Sequence, residues 1–355
     1  MVLLLLVGFA LTTLPERGAA APLPLPEYTA VIRSMVVDAS GRLWIGSFGA
    51  GVWVCENGRA VPLLDAHGEH PSRRISRLLL DGHRLWVATA GEGLLCYDTA
   101  ARRWLPVDPD PGPKMRALHG LARTADGRLL LGSVGSGAAE LRDGVWHHLG
   151  RDQGLGDDWV NDIAPTTTGA WFATSRGVWH VAAVAPSASF GFLSSAHASA
   201  PRVPPPPTAD AWLYPGGSCC GPDAWDNPEV NVLLPLASFT FLGTMADGAF
   251  RHDPDGETRK LAGTRGSIQA LCLWRNALWI AGSQGLWQVG DPAAPRPAAT
   301  QLLTPWEPGV TLKSLAVTHR DSLLIGTHDG RIFATSDGKT FSLALQYADG
   351  GFRQP

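Results

Sequence analysis

The sequence predicts an all-β protein, a seven-bladed β-propeller made of four-stranded antiparallel blades. Its 355 residues include 41 glycines, 28 prolines and 14 tryptophans, a composition typical of tight turns between short, aromatic-rich strands. A five-residue pattern (apolar, aromatic or leucine, apolar, small, small) recurs seven times. Five of the six spacings between successive copies are 38 to 45 residues, and a period near 40 is typical of propeller blades. The copies are Leu43–Ser47, Leu85–Thr89, Leu129–Ser133, Ala170–Thr174, Thr240–Thr244, Leu278–Gly282 and Leu323–Thr327.

Each repeat is interpreted as a sheet of four strands arranged around this pattern. An apolar segment such as Ser34–Val37 or Ala270–Leu273 precedes the pattern and is predicted to be the innermost strand. Asp38–Gly41 supplies the hairpin turn, because Asp and Gly tolerate the backbone angles that a hairpin turn requires. A Gly-centred turn then leads into a third strand, and the fourth strand is more polar, as an edge strand facing water should be. Third strands begin at Gly51–Trp53, Gly177–Trp179 and Gly285–Trp287.

Four of the repeated strands carry a tryptophan that we expect to fill the widening gap between neighbouring blades. The small residues that follow it let adjacent sheets approach each other. Burying one indole removes about 150 to 250 Å² from water, a gross gain of roughly 4 to 6 kcal/mol. These side chains are therefore predicted to be structural. They are Trp44, Trp86, Trp171 and Trp279.

The repeat also resembles a known family. Val37–Ser47 and Arg84–Leu94 carry its pattern most plainly, with Leu-Trp-Ile-Gly-Ser in the first and Leu-Trp-Val-Ala-Thr followed by a Gly-rich turn in the second. This pattern is similar to the two-component regulator propeller repeats, and the similarity extends over about residues 30 to 346 with a gap at 183–229. The resemblance implies a sensor-type β-propeller, here without the kinase, of a kind that is often extracytoplasmic and sometimes recognises carbohydrate.

The charge balance excludes one class of partner. There are 29 Lys and Arg residues against 32 Asp and Glu residues, which gives a formal net charge of −3. A chain without a basic excess has few spare cations with which to neutralise a phosphate backbone along an extended surface. Nucleic acid is therefore not an expected partner.

The N-terminus predicts export. Val2–Leu14 is a largely apolar run, shorter than the roughly 20 residues that a membrane-spanning helix needs, and a small-residue tract follows it at Gly18–Ala21. We interpret residues 1–21 as a signal peptide and residues 22–355 as the propeller. The protein is then periplasmic or secreted, and it does not span a membrane after signal cleavage.

The long fourth spacing of 70 residues predicts an insertion at 183–229 between blades 4 and 5. It is rich in Pro, Ser and Ala, so it is either a flexible spacer or a functional loop that packs over part of the propeller. Within it, adjacent Cys219 and Cys220 either form a vicinal disulfide or remain two loop thiols.

Ligands of a propeller bind most readily at the mouth of its central channel, where the chain enters the innermost strands. Aligning these positions gives one polar residue from each of the seven repeats, a set that we call the channel ring. Polar residues here suit a sugar or another polar ligand, but they are also expected wherever a surface faces water. The channel ring is Arg33, Ser76, His119, Asn161, Asn231, Gln269 and Lys313.

The sequence lacks strong catalytic and metal-binding motifs, so we predict no catalytic set, no metal site and no cofactor. The chain has no nucleophile elbow, zinc-protease helix, phosphate-binding loop or dinucleotide motif. His67-Gly68-Glu69-His70 brings potential ligands together, but on a loop this spacing is a weak zinc signal. Other polar loop residues are expected around the same mouth. Together with those of the motif they are His67, Glu69, His70, Arg74, Arg116, Asp157, Asp158, Arg176 and His328.

Three functional hypotheses follow. The first is an exported, non-enzymatic propeller whose polar mouth binds a small polar ligand, a glycan or a protein partner. The second is a propeller enzyme, a lyase or hydrolase, that uses His119 with Asp157 or Asp158 for proton transfer. The third is a scaffold that uses the insertion and an aromatic patch around Trp212 and Trp225.

Overall fold

The computed structural model describes residues 30–151, 155–167, 169–182, 229–236 and 238–355. Seven antiparallel sheets follow one another along the chain, and each is formed by consecutive strands. The innermost strand of each sheet contacts the innermost strand of the next, and the last contacts the first, so the sheets form a closed ring. This is the predicted seven-bladed β-propeller. The described residues contain no α-helix, and a short 3-10 turn lies at Pro113–Met115.

The strands of the first four blades match the predicted order. Blade 1 consists of β1 (Val31–Val37), β2 (Leu43–Phe48), β3 (Gly51–Glu56) and β4 (Arg59–Pro62). Blade 2 consists of β5 (Ile75–Asp81), β6 (Arg84–Thr89), β7 (Leu94–Asp98) and β8 (Arg103–Leu105). Blade 3 consists of β9 (Leu118–Arg123), β10 (Leu129–Ser133), β11 (Ala138–Arg142) and β12 (Val145–Leu149). The described part of blade 4 consists of β13 (Val160–Pro165), β14 (Gly169–Thr174) and β15 (Gly177–Ala182).

The last three blades complete the ring. Blade 5 consists of β16 (Val230–Pro235), β17 (Thr240–Thr244), β18 (Ala249–His252) and β19 (Thr258–Lys260). Blade 6 consists of β20 (Ile268–Trp274), β21 (Ala277–Gly282), β22 (Gly285–Val289) and β23 (Thr300–Gln301). Blade 7 has a fifth strand and consists of β24 (Leu312–Val317), β25 (Leu323–Thr327), β26 (Arg331–Thr335), β27 (Ser342–Ala348) and β28 (Gly351–Arg353).

The first hairpin shows why the repeat carries an aspartate before its tryptophan. The Asp38 carboxylate accepts hydrogen bonds from the backbone N–H of Ser40 and of Arg42, each at 3.0 Å. It also accepts a 3.0 Å hydrogen bond from Nε1 of Trp44 and pairs with the Arg42 guanidinium. One side chain therefore fixes the turn and orients the indole, and these hydrogen bonds hold the pKa of Asp38 well below its ordinary value although burial opposes the shift.

The small residues of the repeat allow adjacent blades to approach closely, as predicted. A Cβ on Gly46 of blade 1 would lie 2.8 Å from Cγ2 of Ile75 in blade 2, which is closer than carbon atoms can pack. Equivalent conflicts would arise between Gly132 and Val160 at 2.6 Å, and between Gly243 and Ile268 at 2.6 Å. Glycine is required at these positions by the space available and not by its backbone angles.

The hydrophobic core is divided into seven clusters, one between each pair of neighbouring blades. Trp44 packs between blades 1 and 2, Trp86 between blades 2 and 3, and Trp279 between blades 6 and 7. These three indoles are buried, which confirms the prediction for them. Trp171 is only half-buried between blades 4 and 5, and its ring contacts the tilted His180 ring at a centroid distance of 4.4 Å.

Blades 7 and 1 close the ring by side-chain packing, since each sheet keeps its own strands. Gly326 of blade 7 faces Ile32 of blade 1, and the Ser314 hydroxyl donates a 2.9 Å hydrogen bond to the Ile32 carbonyl oxygen. At the outer edge, Phe352 of β28 packs edge-on against Trp53 of β3 with ring centroids 5.5 Å apart. The predicted signal peptide, and Cys219 and Cys220 in the predicted insertion, lie outside the described residues.

Candidate functional site

Every channel-ring residue lies at a β-bulge in the innermost strand of its blade. In blade 1, Ile32 pairs with Ser47 and Ser34 pairs with Gly46, which leaves Arg33 between them without a partner on β2. The same shift recurs in all seven inner strands. A bulge removes one residue from the ladder and re-aims its side chain. All seven side chains are half-buried. The residues without a ladder partner on the second strand are Arg33, Ser76, His119, Asn161, Asn231, Gln269 and Lys313.

Contacts between non-adjacent blades show that side chains next to the channel ring meet inside the channel. Arg77 of blade 2 forms a 2.7 Å ion pair with Asp162 of blade 4, although blade 3 lies between them in the ring. The second Asp162 oxygen accepts a 3.0 Å hydrogen bond from the backbone N–H of Leu233 in blade 5. Burial raises the pKa of Asp162, and the charge of Arg77 opposes that shift.

Sequence reasoning missed Arg77 and Asp162. Each follows a channel-ring residue directly, and five other blades have small or apolar residues at this position. The available signal was a charged residue, in two of the seven repeats, at an aligned position that is uncharged in the other five. The five other residues are Ser34, Gly120, Val232, Ala270 and Ser314.

The amides of the channel ring connect neighbouring blades. Nδ2 of Asn161 donates to the Val230 carbonyl oxygen at 2.9 Å, and Nδ2 of Asn231 donates to the Ile268 carbonyl oxygen at 3.0 Å. In both cases the acceptor is the residue just before the bulge of the next blade. Nζ of Lys313 similarly donates to Oε1 of Gln269 at 3.3 Å. Part of the polar ring therefore holds blades 4 to 7 in place.

Positive charge collects on the inner strands of blades 7, 1 and 2. Burial lowers the pKa of Arg33, and the charge of Arg77 lowers it further. Burial lowers the pKa of Lys313, with a contribution from the charge of Arg33. Burial, followed by the charges of Arg33 and Arg77, lowers the pKa of His119 from 6.5 to about 4, while a hydrogen bond with Asn161 opposes the shift. His119 is therefore neutral near pH 7, beside two permanent cations.

The loops at the mouth lie where the topology predicts, because each inner strand begins at this face and each second strand ends there. The turn after β2 pairs with the loop before β5 through Phe48 and Arg74, and the turn after β10 pairs with the loop before β13 through Val134 and Trp159. Backbone pairing between blades thus organises the loops around the mouth.

Several charges predicted around the mouth are engaged within these loops. Arg74 pairs with Glu92 at 3.0 Å, and Arg116 pairs with Asp110 at 3.0 Å. Nδ1 of His328 accepts a 3.0 Å hydrogen bond from a backbone N–H in the adjacent loop. These contacts hold the loops together.

The proposed catalytic carboxylates are also engaged. Asp157 pairs with Arg151 at 3.0 Å and accepts a hydrogen bond from the Ser175 hydroxyl. Asp158 accepts a 3.0 Å hydrogen bond from the backbone N–H of Arg151. Neither carboxylate hydrogen-bonds to His119 in the described part of the chain, so the structure does not bring together the acid–base pair of the enzyme hypothesis.

The remaining chemical groups give no further site. Among the described residues, no group of three or more His, Cys, Asp and Glu side chains is arranged to hold a metal ion. Cys55, Cys96 and Cys272 are free thiols. No helix in the described ranges has the length and apolar character needed to cross a membrane.

The comparisons with solved structures show the same fold. The extracellular domain of the putative one component system BT4673 from B. thetaiotaomicron superposes with a TM-score of 0.66 at 18% identity, covering 91% of this chain and 39% of that one. The extracellular domain of the putative hybrid two component system BT3049 from the same organism gives 0.64 at 12% identity, covering 91% and 47%. A streptogramin B lyase gives 0.59 at 12% identity, covering 90% and 95%.

The sequence comparisons identify the repeat. No curated protein is significantly similar to this chain in sequence. Residues 29–49 match the family described as two component regulator propeller, and they include β1, β2 and the hairpin turn that Asp38 organises. The first repeat of this chain thus matches the two component regulator propeller repeat.

Proposed function

We propose that this protein is an exported, non-enzymatic, sensor-like propeller that binds a polar ligand or partner through the channel ring. The observation that carries this proposal is the row of seven bulges, each of which turns a polar side chain out of the ladder at the same level. Bulges are frequent beside functional sites, where they re-aim a side chain.

The comparisons support the sensor-like part of the proposal. Two similar structures are extracellular domains of putative one component and hybrid two component systems. This chain spans 39% and 47% of their lengths, so it corresponds to one part of each.

Export is tested by the position of the mature N-terminus. We expect the protein to be recovered from the periplasm or the culture medium with its sequence beginning close to residue 22. N-terminal sequencing or intact mass measurement checks this directly. Recovery of full-length protein from the cytoplasm alone would contradict export without affecting the binding proposal.

Ligand binding is tested with a thermal-shift screen of neutral oligosaccharides and small charged compounds on the mature chain. A compound that binds only the native state raises the unfolding temperature. The blocking variant is Ser76→Phe, which adds bulk at a half-buried channel-ring position. Its control is Leu303→Phe, which adds bulk at a side chain that is 98% exposed.

We expect Ser76→Phe to abolish the shift and Leu303→Phe to preserve it. An equal shift in both variants would place binding outside the channel. A screen in which no compound stabilises the wild-type protein would contradict small-ligand binding and favour a protein partner.

A further inference from the structure

We propose that the ligand of the channel is an anion, and that a carboxylate or another small oxyanion binds among Arg33, Arg77 and Lys313. We call these three residues the cation cluster. The inference rests on the proposed function and specifies the charge of the ligand. It follows from the charge count, the burial and the unused hydrogen-bond donors at the centre of the ring.

The charge count is unbalanced at this level of the channel. The cation cluster contributes three positive charges from blades 1, 2 and 7, while Asp162 is the carboxylate that pairs with it in the described part of the chain. Both Asp162 oxygens are engaged, one by Arg77 and one by a backbone N–H. Arg33 and Lys313 therefore have no acidic partner among the described residues. This local excess occurs in a chain whose formal net charge is −3.

Burial makes the unpaired charges costly. Arg33 and Lys313 are half-buried, and removal from water lowers the pKa of each. A cation that loses hydration without gaining a counter-ion destabilises the folded state. Exposed lysines and arginines elsewhere on the molecule avoid this cost. Retaining two such charges at the centre of the ring is explained if a bound anion supplies the missing partner.

Hydrogen-bond donors at the site remain unused. Nε of Arg77 is buried and has no acceptor among the described residues. The Arg33 guanidinium lies over the Phe48 ring at 6.0 Å, and it makes no ion pair within the described ranges. Lys313 directs one hydrogen bond to Gln269, and an ammonium group can donate three. A planar guanidinium matches the two oxygens of a carboxylate or phosphate, and an ammonium adds a point charge.

A purely structural role accounts for these residues less well. Asn161 and Asn231 join neighbouring blades by hydrogen bonds to backbone carbonyl oxygens, which shows how this ring position can stabilise the fold. Arg33 makes no such bond to the next blade among the described residues. The charge of Arg77 lowers the pKa of Arg33, and the charge of Arg33 lowers the pKa of Lys313. Replacing Arg33 with a neutral side chain is therefore expected to leave the unfolding temperature unchanged or to raise it when no anion is present.

The test compares citrate, inorganic phosphate and sulfate with chloride at pH 7 and constant ionic strength, using thermal unfolding and isothermal titration calorimetry on the mature chain. We expect at least one oxyanion to bind in the millimolar range or tighter. Binding should weaken at least tenfold in Arg33→Gln and in Lys313→Gln. It should be largely restored in Lys313→Arg, which keeps the charge.

The control is Arg102→Gln, which removes a 65%-exposed cation that pairs with Glu56 on the opposite face of the ring. This variant should bind the anion as the wild type does. Sulfate and phosphate also stabilise proteins non-specifically because they are excluded from protein surfaces. The Arg33→Gln/Lys313→Gln double variant measures that contribution.

The outcomes separate this inference from the proposed function. Equal anion binding by the wild-type and double-variant proteins overturns the inference, because the anion then lies elsewhere. If neutral saccharides stabilise the wild type and Ser76→Phe abolishes that effect while no oxyanion binds, the inference is wrong and the channel still binds a ligand. If the variants do not fold, the wild type alone decides. Sulfate binding at pH 5 should be accompanied by proton uptake, because an anion beside His119 favours the imidazolium. Sulfate binding without proton uptake contradicts the site.

Discussion

His119 shows how a residue's position in the ring determines its chemistry. Its ring is half-buried, and the charged groups that face it are the guanidinium groups of Arg33 and Arg77, with the Asn161 amide as its hydrogen-bond partner. Burial and two nearby cations both disfavour the imidazolium form. The same position in blades 4 and 5 carries an asparagine that joins two blades. The same structural position therefore joins neighbouring blades at Asn161 and Asn231, whereas at His119 it lies near two cations.

The depressed pKa of His119 predicts a loss of stability in mild acid. Its pKa is about 4 in the folded protein and about 6.5 when unfolded, so between these values the unfolded chain binds more protons. The free energy of unfolding therefore falls as the pH decreases through this window, by about 2 kcal/mol between pH 7 and pH 5 from this group. Urea unfolding of the wild type and of His119→Gln at both pH values measures this change in the free energy of unfolding.

A second histidine provides the matched comparison. Burial also lowers the pKa of His252 to about 4. We expect His119→Gln and His252→Gln each to reduce the pH dependence, and the double variant to reduce it by about the sum. An unchanged pH dependence in His119→Gln would show that this imidazole is not held neutral by its surroundings.

At the scale of the element, the inner strand could be predicted in position but not in register. The seven channel-ring residues could be identified because each is polar and lies 9 or 10 residues before the start of the repeated strand. The bulge itself could not be read, since a regular strand turns successive side chains to opposite faces. Arg77 and Asp162 were therefore not expected beside Ser76 and Asn161. The two-versus-one pairing of a bulge accounts for their place at the channel.

The second strand of each blade was predictable because its residues meet simple packing requirements. Trp86 is 9% exposed and lies in the cluster between blades 2 and 3. Replacing it with alanine should reduce the free energy of unfolding by about 3 to 5 kcal/mol, through lost burial and the cavity left behind. Chemical unfolding measures the change. Trp159→Ala is the control, because that indole is 42% exposed and should cost markedly less. Comparable losses in the two variants would contradict an interior role for Trp86.

At the scale of the whole molecule, the number of blades followed from the repeat, whereas the way in which the ring closes did not. Blade 7 is complete without a strand from blade 1, and it gains β28, whose Phe352 packs on Trp53. The closing interface instead repeats the contacts of the others, with Gly326 against Ile32. Because every interface has the same form, the ring depends on each of them.

Gly326 tests the closing interface. A Cβ at this position would lie 2.5 Å from Cγ2 of Ile32 in blade 1, so Gly326→Ala must push the two blades apart. Overpacking of this kind costs about 1 to 3 kcal/mol. Gly290→Ala is the control, because no atom lies within 4 Å of its Cβ position. Thermal unfolding should show a clear decrease for Gly326→Ala and almost none for Gly290→Ala. Equal unfolding temperatures would contradict close packing between blades 7 and 1.

Oxyanion binding by the positive charge of the channel can be tested by locating a bound oxyanion directly. The most direct test is a crystal structure of the mature chain grown with selenate, an oxyanion whose selenium atom is located by anomalous scattering. We expect a selenium peak inside the channel, with selenate oxygens within hydrogen-bond distance of the Arg33 guanidinium and Nζ of Lys313. A channel without a peak, in crystals where selenate binds only on the outer surface, would contradict it.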